Sequence, residues 1–424
     1  MRYQIALLML ETELELSVTP LPEGSLPSAP RSGHVVSLQA VEDWLPMDFF
    51  FSSVASNVPA GSVEWGERSL RIVWQTKKAS IPEITSALNE IAAPGRFGRC
   101  GGSYADVIGR TPLVHLSRIA KECQARIFLK LESMEPGSVK DRAVLRMVSE
   151  AIRRGDVKPQ TEVVEASSGN LAFALSAILG VMCGKKPTIF MSKMHGVQKR
   201  RAVRLSGSRV VLTTAREGTL SAKRAATRYA ATRDEVFETN QHGNPDNPGA
   251  HELTTGPEIY HQTHLMAGRA PDEIVCSLGS GGTAVGLAMF RDDIRGSFRV
   301  IGVEPEGASL LTGGTFAPHR FSGMAPGWIT DILKEHAGKL DEIVAVREEE
   351  AFHVCQRMLV EEGFLVGPSS GAAIAVALKR GMLPEYEGKV IVAFAHDRGD
   401  RYLDIPDLFM PPEGATEEEM EDLE

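Results

Sequence analysis

From about Tyr104 onward, short apolar, β-branched runs alternate with longer stretches that place apolar residues at helical spacing. The short runs fall at 126–131, 162–165, 188–191, 209–212, 273–276, 299–303 and 390–394. Runs of this kind predict buried strands, and the intervening segments, such as 143–152 and 284–290, predict helices. The apolar run at 171–182 is interrupted by Ser176 and falls short of the roughly 20 residues a membrane span needs, so it reads as a buried helix. Strand–helix alternation predicts an α/β fold, mostly parallel sheet with helices on both faces. In open sheets of that type ligands bind in loops beyond the carboxyl ends of the strands. Candidate chemistry is therefore sought in those loops.

The first hundred residues have another texture. A Pro/Ser/Gly-rich stretch at 20–33 is followed by short alternating segments such as 69–74 and by helical spacing at 81–91. Ala93-Pro94-Gly95 and Gly101-Gly102 then punctuate the chain. The expectation is a small N-terminal α+β extension over 1–100, a main unit over 101–410, and an acidic, disordered tail over 411–424. The extension carries no assignable motif. A cap packed on the main unit and a docking domain for a protein partner are equal readings of it.

Composition narrows the function classes. A formal net charge of -9 on 424 residues argues against a nucleic-acid binder and supplies no polybasic face for a membrane surface. Hydrophobic content of 43% is ordinary for a globular protein with a large core. Cys100, Cys123, Cys183, Cys276 and Cys355 are scattered and form no C-x-x-C pair. No disulfide framework and no metal site is expected, and the pattern suits a reducing cytoplasm. The apolar stretch at 5–10 is too short for a secretory signal, and Glu11, Glu13 and Glu15 follow it.

Four segments carry candidate chemistry. Gly137-Ser138-Val139-Lys140-Asp141-Arg142 lies between a predicted strand and a predicted helix. A lysine in such a turn, fenced by apolar sequence, has a lowered pKa and can form a Schiff base, although most lysines near a helix start are surface residues. Gly279-Ser280-Gly281-Gly282-Thr283 follows another strand and opens a helix. Glycines let backbone N–H groups converge on a phosphate, with the Ser280 and Thr283 hydroxyls completing the cup. Alone, this segment reads equally as a tight turn. Ser167-Ser168-Gly169-Asn170 gathers hydroxyls and an amide at a helix start, suited to a carboxylate but also to an N-cap. Gly367-Pro368-Ser369-Ser370-Gly371 opens a small-residue helix and has the same two readings.

Taken in this order and at these separations, the four segments resemble the cysteine synthase / cystathionine β-synthase family of fold-type II enzymes dependent on pyridoxal 5'-phosphate. The resemblance spans about 108–403 and includes Gly109-Arg110-Thr111-Pro112, Asn244-Pro245-Asp246-Asn247-Pro248, Thr254-Thr255-Gly256-Pro257-Glu258 and Asp397-Arg398-Gly399-Asp400-Arg401-Tyr402. It implies two open, mostly parallel sheets with helices on both faces, a smaller mobile subdomain at about 145–250, and a homodimer. It also implies that Lys140 carries the cofactor and later shuttles a proton. Asn170 would bond the cofactor's phenolic oxygen, and Gly279, Ser280, Gly281, Gly282 and Thr283 would hold its phosphate. Ser369 would face the ring nitrogen, where a hydroxyl, unlike a carboxylate, cannot keep that nitrogen protonated. Ser167, Ser168, Asn170 and Gln241 would bind the carboxylate of a small amino-acid substrate. The implied reaction is β-replacement on an activated L-serine, O-acetylserine or O-phosphoserine, through an aminoacrylate.

The sequence departs from the family at three points. Leu171 stands where sulfhydrylases carry a threonine, the 135–137 loop is a residue shorter, and Ser322 occupies a position that faces the incoming substrate. All three bear on substrate choice and none on cofactor binding. An amine or bulkier thiol nucleophile, as in synthases of diaminopropionate-type amino acids, is therefore an alternative to sulfide. A catalytically silent binding protein on the same fold is the alternative of another class. Arg320 is either a charge for an anionic leaving group or a surface arginine.

Overall fold

The computed structural model describes residues 102–410 apart from Glu217, together with five strand backbones nearer the N-terminus. These are Arg2–Met9 (β1), Glu13–Leu21 (β2), His34–Val35 (β3), Gly61–Gly66 (β4) and Ser69–Gln75 (β5), and they form one antiparallel sheet in the order β3-β1-β2-β5-β4. The helix expected at 81–91 and the tail expected at 411–424 lie outside the described residues.

Beyond residue 102 two further sheets carry the fold. The smaller contains Glu162–Ala166 (β8), Thr188–Ser192 (β9), Arg209–Thr213 (β10) and Val236–Glu238 (β11), all parallel, in the order β10-β9-β8-β11. The larger is built from Leu113–His115 (β6), Arg126–Lys130 (β7), Glu273–Ser277 (β12), Arg299–Pro305 (β13), Glu342–Val346 (β14) and Val390–Phe394 (β15). Its order is β14-β13-β12-β15-β7-β6, parallel except for β6. The connecting helices are Lys140–Arg154 (α1), Asn170–Cys183 (α2), Val197–Leu205 (α3), Thr219–Ala231 (α4), Asp246–Ala250 (α5), Gly256–Ala267 (α6), Gly282–Asp293 (α7), Asp331–His336 (α8), Glu348–Arg357 (α9) and Pro368–Gly381 (α10).

Apolar runs become strands here because both faces of each sheet are covered, so alternation is not needed. Every residue of β9 and of β15 is buried. In the larger sheet Ile127, Leu129, Val275 and Ile301 pack with Ala373, Ile374 and Ala377 of α10. Phe128, Ile274, Cys276 and Phe394 face the other way, onto Ala284, Val285 and Leu287 of α7. In the smaller sheet Val163, Ile189 and Met191 pack with Val144 and Met147 of α1 and Leu175 and Ile178 of α2. Val164, Ala166 and Phe190 meet Ala222 and Ala226 of α4.

Candidate active site

The turn bearing Lys140 is fixed by its neighbours. The Val139 N–H donates to His396 O at 2.9 Å, which ties the turn to the loop after β15. Asp141 is fully buried, and its Oδ2 accepts from the N–H groups of Gly137 at 2.6 Å and Ser138 at 3.2 Å. Burial lifts the Asp141 carboxyl to about 6 despite those bonds. Arg142 points into the protein and donates to Glu132, Thr111, Thr254 and Glu258 at 2.7 to 3.1 Å. Lys130, buried in β7, donates to Glu258, Gln262 and Thr111 O. Glu258 is held far below the usual carboxylate range: burial would raise it, and the combined pull of Arg142 and Lys130 overcomes that. Buried charges persist only when paired in this way. Arg110 N–H donates to the same Glu258 at 2.8 Å. The segments at 109–112 and 254–258 are thus a polar girder beneath the lysine turn.

The Lys140 amine is desolvated, which lowers its pKa, while the charge of Asp397 partly offsets the effect. His242, His251 and His396 lie around it, all buried. Desolvation and neighbouring cations, Lys140 among them, push His242 and His396 down to about 3 and depress His251 as well. His396 stacks on Phe394 at 5.5 Å, and neither of its ring nitrogens makes a hydrogen bond.

The glycine segment leaves β12 and enters α7 at Gly282. Gly281 takes φ +90°, a conformation costly for other residues. A methyl group at Gly279 would overlap Gly323 O, and one at Gly282 would overlap the Asn247 side chain. Asn247 Nδ2 donates to Ser280 Oγ at 3.1 Å and to Gln241 O at 2.7 Å, and Thr330 Oγ1 donates to Ser280 O at 2.7 Å. Thr283 Oγ1 lies 3.2 Å from His251 Nε2. The first N–H groups of a helix have no intrahelical acceptor, so a braced glycine turn at this helix start suits a phosphate.

The other expected residues converge on the same place. Ser369 lies in the first turn of α10, and its carbonyl accepts from Ser277 Oγ at 2.6 Å, at the end of β12. The adjacent Ser370 Oγ accepts from His396 N–H at 2.9 Å. Asn170 Nδ2 donates to Asp397 Oδ2 at 2.6 Å and to Tyr402 Oη at 3.2 Å, and Arg401 Nη1 donates to Asn170 Oδ1 at 2.7 Å. Gln241 Nε2 donates to Ala166 O at 3.3 Å. Ser167 Oγ accepts from Gly169 and Ala172 N–H groups, so it also caps α2, while Ser168 is half-buried beside it. Leu171 is buried in the apolar cluster with α1. Arg320 is taken up by Glu348 and Asp407, and Ser322 Oγ accepts from Lys199 Nζ at 2.9 Å.

Lys199 and the three histidines were not named from sequence, and Arg142, Asp397 and Tyr402 stood in the quoted motifs without a role of their own. For Arg142, Asp397 and Tyr402 the motif itself was the signal. For the histidines there was none.

A desolvated amine, a braced glycine turn at a helix start, and the buried, unbonded nitrogens of His396 fit a flat, phosphorylated aldehyde. Comparison with known proteins agrees. A family profile described as pyridoxal-phosphate dependent enzyme matches residues 104–397. The probable cysteine synthase of Bacillus subtilis is 36% identical over 302 residues, covering 70% of this chain and 95% of its own. Cysteine synthase from Entamoeba histolytica superposes with a TM-score of 0.68 at 33% identity, over 74% of this chain and 93% of that one. The O-acetylserine dependent cystathionine beta-synthase of Helicobacter pylori gives a TM-score of 0.65 at 31% identity, over 72% of this chain and 98% of its own.

Proposed function

This chain belongs to the pyridoxal-phosphate dependent enzymes, and from that membership we propose that it catalyses β-replacement on an activated L-serine with its cofactor held at Lys140. The single observation that carries the reading is the buried, desolvated Lys140 amine at the head of α1, which acts electrostatically on His251, itself 3.2 Å from Thr283 of the braced glycine turn. O-Acetyl-L-serine is the donor that the relatives point to.

Pyridoxal phosphate, when bound, supplies an electron sink for the bond broken at the substrate α-carbon. The protein supplies the rest. Lys140 Nζ would attach the cofactor, Gly279 to Thr283 would hold its phosphate, Asn170 its phenolic oxygen, and Ser369 would set a hydroxyl at its ring nitrogen. Ser167, Ser168, Asn170 and Gln241 would bind the substrate carboxylate. The Ser167 hydroxyl keeps its proton available for this, because its bonds to Gly169 and Ala172 use only oxygen lone pairs. The Lys140 amine, when free, would take the α-proton. The bond from Cβ to the leaving oxygen breaks, acetate departs, the nucleophile bonds to Cβ, and Lys140 returns a proton to Cα. Desolvation lowers the amine's pKa, which favours the base form that takes the α-proton.

The catalytic unit is residues 101–410, with about 145–250 moving as a smaller subdomain. What supports movement is that polar pairs such as Asn170–Asp397 and Lys199–Ser322 join the two sheets' loops, and such pairs can exchange for substrate. We place the enzyme in the cytoplasm as a homodimer, with 1–100 as a cap or docking extension. Cys123, Cys183, Cys276 and Cys355 are free thiols, in keeping with a reducing compartment, and no helix among the described residues is long and apolar enough to cross a membrane. Lys140→Ala tests the reading. It should fold with the wild-type circular dichroism spectrum yet lose both turnover and the visible absorption of lysine-bound cofactor. A variant that keeps near-wild-type turnover places the reactive amine elsewhere.

A further inference from the structure

Lys199 lies in the first turn of α3, on the smaller sheet's side, and its stem runs alongside Gly169 of the segment at 167–170. Its amine reaches the opposite side of the cleft, where it donates to Ser322 Oγ at 2.9 Å and sits 4.7 Å from the centroid of the Tyr402 ring. Desolvation lowers its pKa, and Asp397 and Asp404 act on it only at a distance. Among the described residues no carboxylate pairs with it, and none pairs with Arg401 either. Asp397 bonds Asn170 and Tyr402 through Oδ2, while its Oδ1 makes no hydrogen bond and lies beyond ion-pair distance of Lys199 and Arg401. Arg401 donates to Asn170 Oδ1 and lies 5.8 Å from the Phe173 ring. One further cation, Arg200, adds to the field: after desolvation, it and Lys199 push down His195.

Two cations thus flank Asn170 with no carboxylate paired to either, and one of them is drawn out of water toward Ser322. Withdrawing an ammonium from water without an ion partner is costly, and the Ser322 hydroxyl and Tyr402 ring repay only part of it. The cost is recovered when a full negative charge arrives. Arg320, the basic residue nearest Ser322 in sequence, cannot take this part, because Glu348 and Asp407 already occupy it.

We propose that Lys199, with Arg401 behind it, receives a second anionic group on a substrate, distinct from the amino-acid carboxylate. This inference rests on the β-replacement reading above. The charge belongs either to a phosphate on the leaving side or to a carboxylate on the incoming nucleophile, and matched pairs distinguish the two. With the holoenzyme, kcat/KM is measured for O-phospho-L-serine against O-acetyl-L-serine with sulfide. It is then measured for mercaptoacetate against 2-mercaptoethanol with the better donor. In one arm the wild type should favour the anionic member, and Lys199→Met should reduce that anionic-to-neutral ratio about tenfold, the size of one charge-assisted hydrogen bond. Lys199→Arg should restore most of the ratio. Loss in the donor arm assigns the charge to the leaving group, and loss in the acceptor arm assigns it to the nucleophile. A wild type that prefers the neutral member in both arms, or a Lys199→Met ratio equal to wild type, overturns the proposal. If no donor turns over, the reaction itself has been misread. Calorimetric binding of inorganic phosphate and of mercaptoacetate to the holoenzyme still decides the anion site: binding weakened about tenfold in Lys199→Met supports it, and equal or undetectable binding in both proteins overturns it.

Discussion

Three buried imidazoles feel the charge of Lys140, and a protonated one would set a second charge near an amine that the proposed reaction requires to shed its own. Burial prevents this, holding His242 and His396 at about 3. The same depression ties stability to pH. In the unfolded chain a histidine takes up a proton below about 6.5, whereas buried His396 resists until about 3. The folded state therefore binds fewer protons across that window, and stability present above 6.5 is lost as pH falls toward 3. Glu165, raised to about 7 by burial, and Asp141, raised to about 6, act in the opposite sense: their contribution is present at low pH and lost as pH rises through those values. The wild-type slope mixes these signs, so a single variant is needed to isolate one group. His396→Phe keeps a ring against Phe394 and removes the titration. Between pH 7 and pH 5 the wild type should lose about 2 kcal/mol more unfolding free energy than His396→Phe, as denaturant melts would read. Equal losses in the two proteins would show that His396 does not titrate as a buried neutral group.

At the scale of elements, the glycine turn between β12 and α7 is wedged rather than free. The atom facing Gly279 is a backbone oxygen, Gly323 O, which cannot rotate away as a side chain could. Gly279→Ala should therefore shift the turn against the 323–325 loop and weaken pyridoxal phosphate binding by about tenfold or more, measured by titration of the visible absorption. Affinity equal to wild type would mean that the turn does not form the phosphate site. The turn's position was legible in the sequence because the strand at 273–276 and the helix at 284–290 both have strong apolar patterns. Short elements were not. β6 and β11 are three residues each, too short for any periodicity, and the edge strand β14 was also missed, although the edge strand β10, no less exposed, was read at 209–212. Helix α1 starts at Lys140 rather than at Ala143, because Asp141 and Arg142 read as polar turn residues although both are buried. One partner of Arg142, Glu258, is 116 positions away, and pattern alone cannot pair them.

For the molecule as a whole, two sheets with separate cores meet across polar side chains, and the residues proposed to form the site sit where they meet. Lys140 and the segment at 167–170 open helices packed on the smaller sheet, while the glycine turn, Ser369 and Asp397 belong to the larger. The order of motifs along the chain made this arrangement readable from the resemblance. The anchoring charges and the Lys199–Ser322 link emerged only when the two halves were brought together. The central claim is that this site exchanges the β-substituent of an activated serine, and mass spectrometry of the products tests it directly. Holoenzyme given O-acetyl-L-serine with sulfide, amines and thiols in turn should release acetate and form the matching β-substituted alanine in equal amount, with Lys140→Ala forming none. Absence of any β-substituted alanine from O-acetyl-L-serine and from O-phospho-L-serine, with every nucleophile offered, would contradict it.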